Sequence, residues 1–321
     1  MECKKEETYQ TPILLVIFDK PEKTKKVLEA IRHIRPTRLF VVCDGPREWI
    51  EGEAEKVILS RQLIDSVKIE IPVETKYFPS NIGIAQTFSQ GINWFFEHVD
   101  MGIILESDCL PGLDFFHFCD EMLNKYKNDE RIWHISGENH QRGKLRGRGT
   151  YYFSQIPHIW GWATWRRAWR NYDPHMTDFP MIKESNEFKN RFLSKKQYGV
   201  WKKLFEKTYR GQIQTWDYQW TYAIIKNDAL AIIPNYNLVS NIGFGSDALH
   251  TKDTFSPFAN VPIQKLPNII HPDTIALDRE ATTFTFYQNI CGRYSVRSIL
   301  AKIYFAIANR VRHYLRLSRE N

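Results

Sequence analysis

The feature that most constrains this chain is a repeated exchange of short apolar runs with amphipathic ones over its first 110 residues. "PILLVIFDK" and "RLFVVCDGP" are too short and too continuously apolar for surface helices, and read as strands covered on both faces. "PEKTKKVLEAIRHI" follows the first with helical spacing through Val27, Leu28, Ile31 and Ile34, and Pro21 suits its first turn. A polar helix is expected from about Glu48 to Leu63, a strand over "VKIEIPVET", and a helix over "NIGIAQTFSQGINWFFEHV". "MGIILESDCLPGLDFF" then supplies another strand, Gly102 to Leu105, which runs into Glu106, Ser107 and Asp108. Such alternation predicts an α/β fold, a mostly parallel central sheet flanked by helices. Ligands of these sheets sit beyond the carboxyl ends of the strands, where Asp19, Asp44, Glu106 and Asp108 fall. Asp19 and Asp44 read equally well as helix-capping acids.

The second half changes character. "YYFSQIPHIWGWATWRRAWRNYD" is dense in Trp and Tyr, "YGVWKKLFEKTYRG" is helical, and "QTWDYQWTYAIIKND" precedes a strand over "ALAIIPNYNLVSN" and the Gly-rich loop "IGFGSDALHTKD". Without an internal repeat or low-complexity linker, residues 150–260 are expected to complete the domain begun at residue 10. The expected boundaries are 1–270 for the main domain, with a first part over about 10–137 and a second over about 150–260, and 285–321 for a basic amphipathic C-terminal helix.

Composition narrows the partners. The chain of 321 residues has a net charge of +7, but Arg297, Lys302, Arg310, Arg312, Arg316 and Arg319 supply most of it. The body is nearly balanced, which argues against nucleic acid. The tail places Val296, Ile299, Leu300, Ile303, Ile307, Val311 and Leu315 on one stripe, as in a helix lying on an anionic membrane surface. Packing on the protein itself or on a second subunit would use the same stripe. The polar N-terminus lacks a signal-peptide run, and the five cysteines show no CxxC spacing and read as reduced thiols. A cytoplasmic protein, peripheral on the inner face of a membrane, is expected.

Several chemistries fail on spacing. There is no P-loop and no G-x-S-x-G, and "GFGSDA" is followed by Pro257 and polar residues instead of an apolar helix. The histidines lack zinc spacing, as His134 and His140 form no HExxH or Cys/His set. Glu106-Ser107-Asp108 remains, an oxygen-only set at a strand end suited to Mg²⁺ or Mn²⁺ on a diphosphate.

On these residues the chain resembles nucleotide-diphospho-sugar transferases of the GT-A fold. "IILESDCLPGLDFFHFCDEMLNKY" and "PHIWGWATWRRAW" are similar to segments of bacterial family 2 glycosyltransferases. The order of "LPGLDFF", "IWGW", "WDYQW" and "GFGSDALH" is similar to that of parts in eukaryotic N-acetylglucosaminyltransferase I, where an acidic triplet and "PDFF" precede "GLGW", a "WDDW" base motif and a Gly-rich closing loop. The resemblance covers roughly residues 10–255 and departs at Ser107, where the family triplets usually carry Asp. It implies a metal-dependent, inverting glycosyltransferase of surface polysaccharide or glycolipid synthesis, with a UDP-sugar favoured as donor and a saccharide or glycolipid as acceptor. The nucleotide sugar is expected on Phe18, Lys20, Asp44, Asn81, Glu106, Ser107, Asp108, Gly243 and Phe244. The metal is expected on Asp108 and His250. Trp160, Gly161, Trp162 and Trp216 are assigned to the acceptor or sugar, although Trp160-Gly161-Trp162 could equally be core packing. Asp217, between Trp216 and Trp220, is the candidate general base, or else an ordinary helix N-terminal acid near Thr215. A sugar nucleotidyltransferase and a non-catalytic sugar-nucleotide binder are the alternatives.

Overall fold

The computed structural model describes residues 8–245 and 256–291. Its elements are β1 (Ile13–Ile17), α1 (Pro21–Ile34), β2 (Leu39–Cys43), α2 (Glu53–Val67), β3 (Val73–Tyr77), α3 (Ile84–His98), β4 (Met101–Glu106), β5 (Cys109–Pro111) and α4 (Leu113–Lys125). They continue with β6 (Ile132–Ser136), β7 (Tyr151–Ser154), β8 (Trp162–Trp165), the short helices α5 (Arg166–Trp169), α6 (Phe179–Ile182) and α7 (Asn186–Asn190), and then α8 (Lys195–Tyr209) and α9 (Asp217–Lys226). Strands β9 (Leu230–Pro234) and β10 (Val239–Asn241) and helix α10 (Arg279–Thr285) follow, ending in a π-helical stretch, Phe286–Cys291.

Eight strands form one sheet in the order β3-β2-β1-β4-β8-β6-β9-β7. The pairs β1 to β2, β2 to β3, β1 to β4 and β6 to β9 are parallel, whereas β8 runs antiparallel to both β4 and β6, and β7 to β9. The expected α/β fold with a large, mostly parallel sheet is therefore present. The strands β3, β2, β1, β4, β6 and β9 share one direction, so their carboxyl ends line one edge.

Alternate residues of each central strand face opposite layers. Ile13, Leu15 and Ile17 meet Val27, Leu28 and Ile31 of α1, Val57 and Ile64 of α2, and Phe115 and Phe118 of α4 in one cluster. Leu14, Val16, Phe40 and Val42 meet Phe88, Ile92 and Phe95 of α3 and Trp220 and Ile224 of α9 in the other. Burial on both faces explains the unbroken apolar runs. A further cluster joins α6, α7 and α8 to Tyr222 and Phe286.

Three element boundaries differ from expectation. The strand read from "VKIEIPVET" begins only at Val73, because Ile69 points into solvent and Pro72 has no N–H to give a ladder. Helix α2 starts at Glu53, later than expected, and runs on to Val67. "ALAIIPNYNLVSN" is two strands, parted where Asn235 and Asn237 turn the chain with side-chain bonds to the main chain. Among the described residues no helix is long and apolar enough to cross a membrane. The expected amphipathic stripe from Val296 onward, together with His250, lies outside the described residues.

Candidate functional site

At the carboxyl edge, β4 ends at Glu106 and the Ser107 N–H donates to the Val16 carbonyl at 2.9 Å, holding the turn against β1. The chain then folds back as β5, which pairs antiparallel with β10, Cys109 opposite Asn241. This places Gly243 on top of Asp108. The Ile242 N–H donates to the Asp108 carbonyl at 2.8 Å, and a Cβ on Gly243 would lie 2.1 Å from Asp108 Oδ2. A side chain there would have to displace the Asp108 carboxylate. From the β1 end, Lys20 caps α1 and sets its Nζ 2.7 Å from the same Oδ2. The structure thus brings Lys20, Glu106, Ser107, Asp108 and Gly243 together.

Burial works against the Lys20 ammonium, but Asp108 first, then Asp19 and Glu106, hold its pKa above the ordinary lysine value. Burial and the neighbouring Asp108 charge push the Glu106 carboxyl well above the carboxylate range. Lys20 opposes that shift, and Asp217 and Glu138 add to it. Glu106 therefore holds a proton more readily than an ordinary carboxylate. The oxygen-only donor set fits a hard divalent cation, and Lys20 is the cation it faces in this structure.

One wall beside this centre is aromatic. Trp160, half-buried, meets Phe244 edge-on at 5.5 Å, and its main-chain N–H donates to Glu138 Oε1 at 3.1 Å. The other residues assigned to the acceptor are packing residues. Trp162 is 0% exposed, stacked on His134 at 4.9 Å and on Trp216 at 5.4 Å, while Trp216 stacks on Phe88 at 4.7 Å. Neither has surface left for a sugar. Gly161 does mark a close backbone approach, with φ of +74°, but its neighbours are Val239 and Leu105 of the protein itself.

Asp44 is buried with four hydrogen bonds on its carboxylate, from the N–H groups of Gly45, Ile82 and Gly83 and from Asn81 Nδ2. It ties the loop after β2 to the loop after β3, and so does Asn81, whose amide also donates to the Gly45 carbonyl. Asp44 spends its carboxylate oxygens, and Asn81 its amide nitrogen, on joining these two loops. Phe18 lies in the β1 to α1 connection with the Arg47 guanidinium 5.7 Å from its ring centre. Asp217 opens α9, accepts a hydrogen bond from Thr215 Oγ1, and is among the charges acting on Glu106.

The sequence reading missed one group. Past β6, Glu138 Oε2 lies 2.8 Å from His140 Nε2, and the His158 ring stands 4.3 Å from that of His140. One ligand atom from each of the three residues falls within 4.8 Å of the others. Burial pushes Glu138 up to about 7, against the pull of His158 and the Trp160 N–H. Burial first, and the His140 charge second, push His158 down to about 3. "IWHISGENH" repeats the pattern of an apolar strand running into a turn and a carboxylate, a signal that could have flagged Glu138 and His140. Nothing local points to His158.

His134, on β6, is fully buried. It accepts from Trp220 Nε1 at Nδ1 and donates from Nε2 to the His158 carbonyl. Burial lowers it to about 3. The unfolded chain takes up this proton near the ordinary value, about 6.5, so between those values it binds more protons than the folded chain, and stability is lost as the pH is lowered through that window. His134→Gln is expected to flatten the pH dependence of urea-unfolding free energy over that window by about 1.4 kcal/mol per pH unit. An unchanged slope would mean that His134 is protonated in the folded chain.

No family model matches the chain, and no curated protein matches it. Among solved structures, a cytidylyltransferase from Leptospira borgpetersenii serovar Hardjo-bovis (strain JB197) is similar with a TM-score of 0.32 and 11% identity, over 52% of this chain and 64% of that one. The chain thus spans less than two thirds of that neighbour's length, and a likeness of this degree assigns no activity. The chain is an α/β protein that gathers a lysine, carboxylates and imidazoles at one edge of a large, mostly parallel sheet.

Proposed function

We propose that this protein is a GT-A-type glycosyltransferase that moves a sugar from a nucleotide-diphosphate donor, with UDP favoured, to a hydroxyl of a saccharide or glycolipid. The observation that carries this reading is Asp108, held between Lys20 and Gly243 at the carboxyl ends of β1 and β4. A sugar diphosphate brings its own leaving group, so the protein has to neutralise phosphate charge and take one proton from the acceptor. Lys20 supplies a fixed positive charge for the first task. Asp108, with Glu106 beside it, would hold Mn²⁺ or Mg²⁺, which supplies Lewis acidity when bound. Gly243 leaves the main chain bare where a diphosphate would approach, and Trp160 and Phe244 offer faces for a sugar. Asp217 is the proposed general base, with inversion as the stereochemical outcome.

Transfer of a nucleotidyl group instead would require a Gly-rich loop after β1 to wrap a triphosphate. The connection there is Phe18-Asp19-Lys20, with no glycine and with Pro21 next. Surface-polysaccharide synthesis and a membrane-bound tail belong to the same proposal.

A thermal-shift experiment tests it. A UDP-sugar with Mn²⁺ at about 100 times its Kd should stabilise the protein by about 2.7 kcal/mol, and Asp108→Ala should abolish the shift. Stabilisation by a nucleoside triphosphate and not by any nucleotide sugar would favour nucleotidyl transfer. Full Mn²⁺-dependent affinity in Asp108→Ala would sink the assignment.

A further inference from the structure

We propose that Glu138, His140 and His158 form a binding site for one borderline divalent cation of the Zn²⁺ class, separate from the oxygen-only centre at Asp108. Two imidazoles and a carboxylate are a donor set that suits Zn²⁺ and its neighbours in the first transition row better than Mg²⁺. The geometry needs little change to accept an ion. Ligand atoms about 2.1 Å from a tetrahedral cation stand roughly 3.4 Å apart. The Glu138 to His140 contact of 2.8 Å would open slightly, and separations within the 4.8 Å limit would contract.

A buried atom without a partner points to the same conclusion. His158 is 4% exposed and its Nε2 has no hydrogen-bond partner, a costly state for a buried ring nitrogen that a metal bond would end. The Asn289 amide nitrogen lies 2.5 Å from His140 Nδ1. Turning that amide over brings Oδ1 to His140 Nδ1, where it accepts an N–H. That tautomer leaves the His140 Nε2 lone pair for a cation, an outer-shell arrangement known to orient ligating imidazoles.

The ligands are also held in advance. The His158 N–H donates to Ser136 Oγ, its carbonyl accepts from His134 Nε2, and Glu138 Oε1 accepts from the Trp160 N–H. The three protein ligands leave a fourth position beside Phe258, whose ring lies 4.7 Å from that of His140. Because Trp160 borders both centres, an ion here would stiffen the aromatic wall next to Asp108 without sharing a ligand with it. This inference does not rest on the glycosyl-transfer reading.

The test is a titration of chelator-stripped full-length protein with Co²⁺ alone and then Zn²⁺ alone. The expected result is a visible Co²⁺ spectrum that saturates at one equivalent and is erased by one equivalent of Zn²⁺. His158→Ala and His140→Ala should lose the spectrum and weaken Zn²⁺ binding at least about 100-fold, beyond what outer-shell changes cost. Asp108→Ala should keep both. A wild-type protein with no saturable one-to-one Co²⁺ spectrum would overturn the proposal, whether or not the variants fold. So would a site lost in Asp108→Ala but retained in His158→Ala. Donor binding is read separately through Asp108, so either reading can fail alone.

Discussion

Asp217→Asn is expected to lower glycosyl transfer by roughly 10²–10⁴, the loss that follows removal of a positioned base. The loss should fall on kcat, with the donor's apparent affinity nearly unchanged, because Lys20, Asp108 and Gly243 are untouched. Folding should survive as well. An amide oxygen can still accept from Thr215 Oγ1, and the helix-dipole cost of losing one charge at the first position of α9 is about 0.3–1 kcal/mol. Activity within a few-fold of wild type would refute the role. Glu138, the other carboxylate beside the Trp160 segment, would then be replaced next.

The second large effect is on stability. Trp162→Ala should cost about 3–5 kcal/mol, as for other fully buried Trp to Ala changes, read from urea unfolding at fixed pH. Removal of that indole opens a void between His134, Trp216, Trp169 and Trp220, which are packed too tightly to close it. Trp162→Phe should cost far less. The Trp162 Nε1 is buried without a partner, so losing that N–H removes a desolvation penalty along with the apolar area. If Trp162→Ala unfolds at nearly the wild-type urea concentration yet binds donor poorly, the ring contacts ligand after all.

These two residues mark how far the sequence can be read. The runs "PILLVI", "LFVVC" and "IILE" were legible because strands covered on both faces have to be apolar throughout, and α1 because its stripe and Pro21 agree. The place of Glu106 and Asp108 at a strand end followed from the same run, because they are the first charged residues after it. "WATW" was not legible as a strand. Its place between β4 and β6 depends on partners 60 and 30 residues away in the chain, and its tryptophans fit a sugar platform as well as a core. The imidazole cluster was hidden for a related reason. Pairing Ser136 with Trp162 is what sets residues 138–140 beside residues 158–160, and that register exists only once β8 has inserted.

The ion pair between Lys20 and Asp108 has a consequence for how an anionic ligand would enter. Each charge already has a counter-charge, so a cation-loaded diphosphate arriving there would not bury a naked ion. It would trade partners, with Asp108 turning from ammonium to cation and Lys20 from carboxylate to phosphate oxygen. The count of opposed charges is the same before and after such an exchange. The electrostatic gain is then set by geometry rather than by net attraction, and the edge of the sheet works as a sorting point for salt pairs.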